Sequence, residues 1–599
     1  MPPGDPLSRV LTIDLSTQRF DIAERHDLFE ASLGGAGVAA RLLDEECPQG
    51  ADPLGPENSI IFVVGPLVGL FPLASKTVAM FKSPHTGNLG ESHAGGRSAT
   101  SIRLAGYGAI VIRGASASPT YLVIDGDRVH FRDASALWGL QSSATVGRVL
   151  REREAGSGHR SILRIGPAGE RMVTYACVIT ETYRHFGRLG LGAVFGSKRL
   201  KAIVIAGHRS LPVADPVGYR RVYDALYEAA TASPAMKKYH DLGTPMNVLP
   251  LNELGALPTR NLGEARFDHA AAVSGEALAE GFLGRRLACS HCPIACIHLA
   301  ALRTPHPNEP YFYKTSMLGY DYELIYALGS LLGVGNPERL LLLMDEVEAQ
   351  GLDAISTGVS LAWATEARER GLVSEEDLDG VRLAWGDGVA YRDAVRRVVS
   401  QPTDLYRALA RGVDAAATAY GGDDFALAFG GNEMAGYHTG PAGYLGFLVG
   451  ARHSHLDNAG YAIDQKRLAV GATPTGEGLI DEIVAEEEWR QVLSSLVVCF
   501  FARGLYTPDV IRAALACAGI EASEDRLRHI GAATLARKWA FKAREGFAPA
   551  SLRLPQKIFE TPSPSGTIAR DAIETCLRQF AERMGPTTEA DLTASDANV

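Results

Sequence analysis

The spacing of apolar positions changes near residue 210. Before it, hydrophobic residues come in short runs or alternate with polar ones. Val10-Leu-Thr-Ile-Asp-Leu15, Ser16-Thr17 and Arg19-Phe-Asp-Ile-Ala23 predict a hairpin, and Ser59–Val64 a buried strand. A second hairpin is predicted over Tyr121–Phe131, with Asp125-Gly126 supplying its turn, and Ala202–Ala206 closes the region as a strand. Glycine clusters at 34–37, 95–96 and 187–196 punctuate these strands.

Beyond residue 210 the period becomes helical. Asn336-Pro337-Glu338 offers a capping side chain, a proline at the first helical position and an acid at the positive end of the dipole; the helix it starts stops at Gly351. Further helical periods cover Glu366–Gly371, Ala394–Val399, Asp404–Gly421 and Glu486–Val498. The uncharged stretch Met434–Ala451 holds Pro441 and five glycines, which suits a buried loop or broken helix rather than a membrane span. Nothing repeats at a fixed period, and the polar tail from Gly585 reads as loose.

At 599 residues, with 46% hydrophobic and 21% charged, the chain is globular and too long for one ordinary domain. A net charge of −10 argues against a general nucleic-acid binder. Eight cysteines are too sparse for a disulfide scaffold, and three crowd into one segment, which points to a metal or cluster in a reducing compartment. Met1-Pro-Pro-Gly-Asp-Pro6 lacks the basic and apolar regions of a secretion signal, so the expected location is cytoplasmic.

Cys289-Ser-His-Cys292-Pro-Ile-Ala-Cys296 is the sharpest chemical signal. Three thiolates so spaced can wrap one face of a [4Fe–4S] cube, with a distant fourth closing it; a structural zinc site using His291 or His298 is the alternative. Spacing alone does not choose the fourth ligand among Cys47, Cys177, Cys499, Cys517 and Cys576. Gly187-Arg-Leu-Gly190-Leu-Gly192-Ala-Val-Phe-Gly196 can cradle phosphate on exposed amides, or simply be a packing turn. His453-Ser-His455-Leu-Asp457 would share one face of a strand, and Glu323 sits among apolar residues at a helix start.

Together these segments resemble the tungsten-dependent aldehyde:ferredoxin oxidoreductase family. The resemblance rests on Leu33-Gly-Gly-Ala-Gly37, Lys82-Ser-Pro-His-Thr-Gly-Asn88, Leu104–Gly114, Gly190–Ala202 and the cysteine run. It implies an α+β fold: a β-rich domain over a bis-pterin metal cofactor at 1–210, then two mainly helical domains at 211–415 and 416–599. It also implies a [4Fe–4S] cluster on Cys289, Cys292, Cys296 and the late Cys499. The family's D-x-x-G-L-C motif looks like Ser494-Ser-Leu-Val-Val498-Cys499, with Ser494 and Val497 replacing Asp and Gly. Its sister D-x-x-G-L-D looks like Glu348-Ala-Gln-Gly351-Leu-Asp353. Both would set acceptors against pterin ring N–H groups.

Lys76 stands where the family has a phosphate-binding Arg, and His93, before Gly95, where it has an Asn. Backbone carbonyls there and in the loop Arg188-Leu189-Gly190 would bind Mg2+ joining two pterin phosphates. Glu323 and His455 match the Glu and His beside the open metal site, with His453 as the alternative to His455. The implied reaction is oxidation of an aldehyde with water to a carboxylic acid, electrons leaving through the cluster to a ferredoxin or polyferredoxin-like carrier. Tungsten against molybdenum stays open, as does a homodimer against a hetero-oligomer with electron-transfer subunits. The alternatives are a relative reducing another substrate, such as an aromatic thioester, and a non-catalytic iron–sulfur protein.

Overall fold

The computed structural model describes residues 4–154, 159–306, 308–309, 311–476, 478–549 and 552–584, so the tail expected to be loose lies outside the described residues. Twelve strands build the N-terminal part. The first six are β1 (Arg9–Asp14), β2 (Arg19–Glu24), β3 (Ile60–Val63), β4 (Thr77–Lys82), β5 (Leu89–Ala94) and β6 (Ala109–Arg113). The second six are β7 (Thr120–Asp125), β8 (Arg128–Asp133), β9 (Ser161–Ile165), β10 (Val178–Ile179), β11 (His185–Phe186) and β12 (Leu200–Ala206).

Each set forms its own sheet, ordered β2-β1-β6-β3-β4-β5 and β8-β7-β12-β9-β10-β11. The orders are the same, and in each the one parallel pair joins the first strand to the last (β1 with β6, β7 with β12). The domain is therefore a duplicated topology that the sequence hides. Matching strands differ in length, β4 with six residues against β10 with two, so no fixed period survives. β3 and β12 are buried along their whole length, which is why they read as continuous apolar runs rather than alternating ones. The hairpin β7–β8 turns on Gly126-Asp127, not Asp125-Gly126, and only Gly126 is left-handed (φ 57°).

The helical expectation holds for Pro337–Gln350, where the Asn336 side chain accepts the Arg339 N–H at 2.9 Å and Gly351 ends the helix at φ 79°. Asp404–Gly421 is instead two helices, Asp404–Leu409 and Val413–Tyr420, broken at Gly412 (φ 101°). Two antiparallel sheets interrupt the helical region: a three-stranded one of β13 (Leu283–Leu287), β14 (Ile297–Pro305) and β15 (Tyr313–Tyr320), and a hairpin of two-residue strands, β16 (Ala428–Phe429) and β17 (Asn432–Glu433). The cysteine run is the β13–β14 connection, and β15 leads straight into the helix carrying Glu323.

The two halves of the duplicated domain grip two matching helix ends. Beside β9–β10, Cys177 N donates to Gly351 O (2.9 Å) and Asp353 N to Tyr175 O (3.1 Å). In the other half, Cys499 N donates to Leu73 O (2.8 Å) and Lys76 N to Val497 O (3.3 Å). The helix ends are alike: Leu352 N reaches back to Val347 O, and Val498 N to Leu493 O. Val497 occupies the left-handed position (φ 54°) that Gly351 fills in the sister motif, an unfavourable conformation for a β-branched residue. Its side chain is 1% exposed, so packing enforces the strain. At Gly351 a Cβ would stand 2.9 Å from Gly166 N. Gly351→Ala is thus expected to lower stability by about 1–2 kcal/mol, measured as a lower Tm with the fold retained.

Candidate active site

Glu323 is placed by a short helix, Tyr322–Leu328, that begins where Asp321 caps the N–H of Leu324 at 3.2 Å. The Tyr322 hydroxyl donates to Gly436 O, and Gly436 N donates back to Glu323 Oε2 at 3.2 Å. Glu323 Oε1 is buried with no hydrogen-bond partner among the described residues, and faces His455 Nε2 at 3.4 Å. That is close, yet beyond an ordinary N–H···O bond. His455 opens the helix His455–Asn458 after the Ser454 cap, so the His-x-His-x-Asp segment is a turn and helix, not a strand. Its Nδ1 is also without a partner.

Burial pushes the Glu323 carboxyl up to about 8, against the opposing pull of the Gly436 N–H. Burial, helped by the charges of Arg188, Arg452 and Arg490, pushes His455 down to about 3. At neutral pH both groups are mainly uncharged. Both ring nitrogens of His453 have partners: Nδ1 meets Phe447 O at 2.9 Å and Nε2 meets Lys542 Nζ at 2.9 Å.

A second polar cluster lies on the Gly-rich loop. Arg188 donates from Nε to Asp353 Oδ2 (3.1 Å) and from Nη2 to Glu433 O (2.7 Å), leaving Nη1 buried and unpaired. Asp353 caps Ala354–Glu369, with Oδ1 on Ile355 N and Oδ2 also taking the Ser356 hydroxyl. Ser356 bridges to Glu433 Oε2 at 2.6 Å, and His85 Nε2 meets the same oxygen at 2.7 Å. Although burial opposes ionisation of both, the pair keeps Glu433 down to about 2 and His85 raised. Glu433 and His85 were not singled out from the sequence. A signal existed: Glu433 is the only Asp, Glu, Lys or Arg between Asp424 and Arg452.

The remaining predicted residues divide. Glu348 turns to His185 Nε2 (2.5 Å), so its carboxylate is engaged within the protein. The His93 ring goes to Glu91 Oε1 (2.6 Å), whose other oxygen meets Lys538 Nζ (2.5 Å). Leu189 and Gly190 are both left-handed (φ 69° and 87°), and Leu189 O accepts the Ser83 hydroxyl at 2.8 Å. Ser494 O accepts Val497 N, and neither Ser494 nor Val498 brings a carboxylate. The Lys76 amine lies over Phe500, 5.1 Å from the ring centre, with no carboxylate at ion-pair distance among the described residues.

Cys289, Cys292, Cys296 and Cys499 lie within reach of one another's charge, each half-buried. After burial, their mutual charge adds to the upward push on Cys292 and on Cys296, the latter to about 11 despite Arg184, whose Nη2 is 3.9 Å from its sulfur. Cys47, Cys177, Cys517 and Cys576 are buried. Cys517 and Cys576 lie on the helices Pro508–Cys517 and Arg570–Met584. Among the described residues no three of His, Cys, Asp and Glu converge on a single-ion site, and His298 Nε2 is 2.9 Å from His240 O. At Gly95 a Cβ would lie 2.9 Å from Cys289 Sγ, so the loop after β5 packs directly on the thiols.

These donors suit a phosphate-bearing heterocycle beside a cluster. Lys76 lies within reach of the charges of Cys499 and Cys289, while Arg188 leaves one guanidinium nitrogen unpaired among the described residues and one Asp353 oxygen takes a single N–H.

Two family models match almost end to end: aldehyde ferredoxin oxidoreductase, N-terminal domain, over residues 10–207, and domains 2 and 3 over residues 221–593. The chain belongs to the aldehyde ferredoxin oxidoreductase family. It is an oxidoreductase of that family, with the β-rich first domain and helical remainder described above. It is 33% identical to the tungsten-containing aldehyde ferredoxin oxidoreductase of Thermococcus kodakarensis over 574 residues, covering 93% of this chain and 92% of that one. An aliphatic sulfonate oxidoreductase, WOR-like subunit, of Pyrococcus furiosus is 30% identical across 68% of this chain and 66% of its own. The fold is shared with the active-site complex BamBC of benzoyl coenzyme A reductase, at TM-score 0.82 and 21% identity, covering 100% of this chain and 98% of that one. No helix among the described residues is long and apolar enough to cross a membrane.

Proposed function

We propose that this family member oxidises an aldehyde with water to a carboxylic acid, releasing two protons and two electrons. The observation that carries it is the Glu323–His455 pair: a half-buried carboxyl and a buried imidazole, 3.4 Å apart, each with one buried atom left unpaired among the described residues. A tungsten (or molybdenum) bis-pterin held by Arg188, Asp353, Lys76 and the loop 188–190 would supply the two-electron redox step. Backbone carbonyls at His93 and in that loop would hold Mg2+, which would offset phosphate charge. Glu348, Ser494 and Val498 would contribute backbone or packing rather than a free carboxylate.

His455 would hold the aldehyde oxygen through the imidazole nitrogen not facing Glu323, polarising the carbonyl. Since Nε2 and Oε1 stop short of a made bond, the one proton of the neutral ring can sit on Nδ1 and be donated to the aldehyde oxygen. Glu323, when ionised, would take a proton from the attacking water at Oε1. The Gly436 N–H holds the other carboxylate oxygen, and the Tyr322 hydroxyl fixes Gly436 through its carbonyl.

Cys289, Cys292, Cys296 and Cys499 would hold a [4Fe–4S] cluster, which would supply one-electron transfer toward a ferredoxin-like carrier. Free thiols in all eight cysteines agree with a reducing, cytoplasmic setting. Around the cysteine run, Arg97, Lys238, Arg285, Arg286 and Arg503 are exposed, and none meets a carboxylate among the described residues, in a chain of net charge −10. Such a face fits an acidic protein carrier. In the double variant Arg285→Glu/Arg503→Glu, the KM for an acidic ferredoxin should rise about tenfold or more at low salt, while turnover with a neutral dye stays unchanged.

The reading as a whole is tested by metal analysis and an aldehyde-dependent dye assay on the purified protein. Tungsten or molybdenum with acid formation is the expected result. Iron without either metal, and no aldehyde turnover, would overturn it.

A further inference from the structure

Arg184 carries a charge that the reaction proposed above leaves unused. It ends the connection between β10 and β11, where Thr180 N donates to Arg184 O at 2.8 Å and Arg184 N donates to the Thr180 hydroxyl oxygen at 3.3 Å. Tyr183, just before it, is left-handed (φ 54°), so the chain turns back tightly and fixes the arginine backbone. Gly95 makes room for the stem: a Cβ there would lie 3.9 Å from Arg184 Cγ and 2.9 Å from Cys289 Sγ. The guanidinium ends on the cysteine run, with Nη2 donating to Cys296 Sγ at 3.9 Å. This is the one side-chain hydrogen bond of Arg184 among the described residues, and no Asp or Glu among them lies at ion-pair distance from it. Asp321, whose Oδ1 takes the Leu324 N–H, acts on it only through longer-range charge. Cys289 and Cys499 lie within the same electrostatic reach. Arg184 is thus a half-buried cation set on sulfur rather than on a carboxylate.

We propose that Arg184 sets the reduction potential of the cluster held by Cys289, Cys292, Cys296 and Cys499, by offsetting the negative charge that the thiolates bring. The proposal rests on the cluster reading above. Two effects act in the same direction. A hydrogen bond to a ligand sulfur draws electron density from it, and a fixed positive charge favours the form that holds one more electron. Adding one electron to a cube on four thiolates makes the whole more negative by one charge, and the guanidinium at Cys296 favours that change. A raised potential eases the arrival of each electron from the pterin centre and holds back its departure to the carrier, so Arg184 places the cluster between the two. Arg184 touches a cluster ligand and not the substrate, which makes it a positioning residue, read out by a potential.

The test is a redox titration of the holoenzyme followed by electron paramagnetic resonance, with iron and labile sulfide counted per chain. In Arg184→Gln the ratio of reduced to oxidised cluster at the wild-type midpoint should fall by about tenfold or more. For a one-electron couple that is a shift of about 59 mV to more negative potential. Arg184→Lys keeps the charge and loses the planar fork, so most of the wild-type ratio should return. Iron per chain should match the wild type in both. An unchanged midpoint in Arg184→Gln with iron retained overturns the proposal and leaves the cluster standing. If Arg184→Gln loses iron, the Lys variant decides: iron retained with a midpoint near the wild-type value supports the counter-charge, and any other result overturns it. A wild-type protein with no iron–sulfur signal fails the cluster reading, and the proposal with it.

Discussion

Glu323→Gln is expected to keep its fold, its iron and its pterin metal, and to lose about 10²–10⁴-fold in aldehyde turnover, the usual worth of a positioned general base. The amide preserves the shape and can still accept the Gly436 N–H that holds Oε2 at 3.2 Å. What it lacks is an oxygen able to take a proton at Oε1, the atom that has no partner among the described residues. A cap or packing carboxylate would behave differently, since its loss costs about 1 kcal/mol of stability and little activity. Normal turnover in the variant would refute the role. Loss of metal would move the residue from catalysis to cofactor support.

The same carboxyl fixes the sign of the pH dependence. Because burial holds Glu323 up near 8, the protonated form dominates at pH 7 and the base is the minority species. Turnover in the wild-type enzyme should therefore rise with pH through about 8 and level off above it, provided that the fold is intact. His455 is held down near 3 and stays neutral throughout this range, so it adds no second limb. A profile flat from pH 6 to 9 would contradict Glu323 as the titrating base.

How much of this was legible in the sequence depended on how local each signal is. Asn336-Pro337 announced a helix because capping and proline act within one turn. The strand run at Ile60–Val63 and the arms of the first hairpin were visible for the same reason. The duplicated sheet was not, because strand order is a long-range property and β10 and β11 are only two residues each. The sheet β13–β15 inside a helical region was missed although its strands are long; its pairing spans the cysteine loop and a hairpin. At the site, Glu323 and His455 came from motif resemblance, and the sequence could not show that both nitrogens of His453 are engaged while Nδ1 of His455 has no partner among the described residues. Glu348 shows a contact that the motif did not announce: His185, distant in sequence, meets one of its carboxylate oxygens. Glu433 and His85 form a buried pair across 348 positions, which no local pattern could announce.

Changing Cys499 to Ala should strip or degrade the cluster, while Cys576→Ala should leave iron unchanged. The two thiols differ in what surrounds them. Cys499 follows the strained Val497 turn, where its own N–H is tied to Leu73 O at 2.8 Å. The backbone bond survives the substitution, so the loop stays in place and only the thiol is removed. That thiol is one of four in mutual electrostatic range, with the amine of Lys76 and the guanidinium of Arg184 also within reach of its charge. Cys576 is 5% exposed on its helix, and burial raises its thiol with no second cysteine contributing. A cube with four thiolate ligands that loses one should retain at most about three irons per chain, with matching loss of labile sulfide and of the broad visible absorbance. Dye-linked turnover should drop in parallel if electrons leave through the cluster. Full iron retention in Cys499→Ala would sink the fourth-ligand assignment, and iron loss in Cys576→Ala would redirect it.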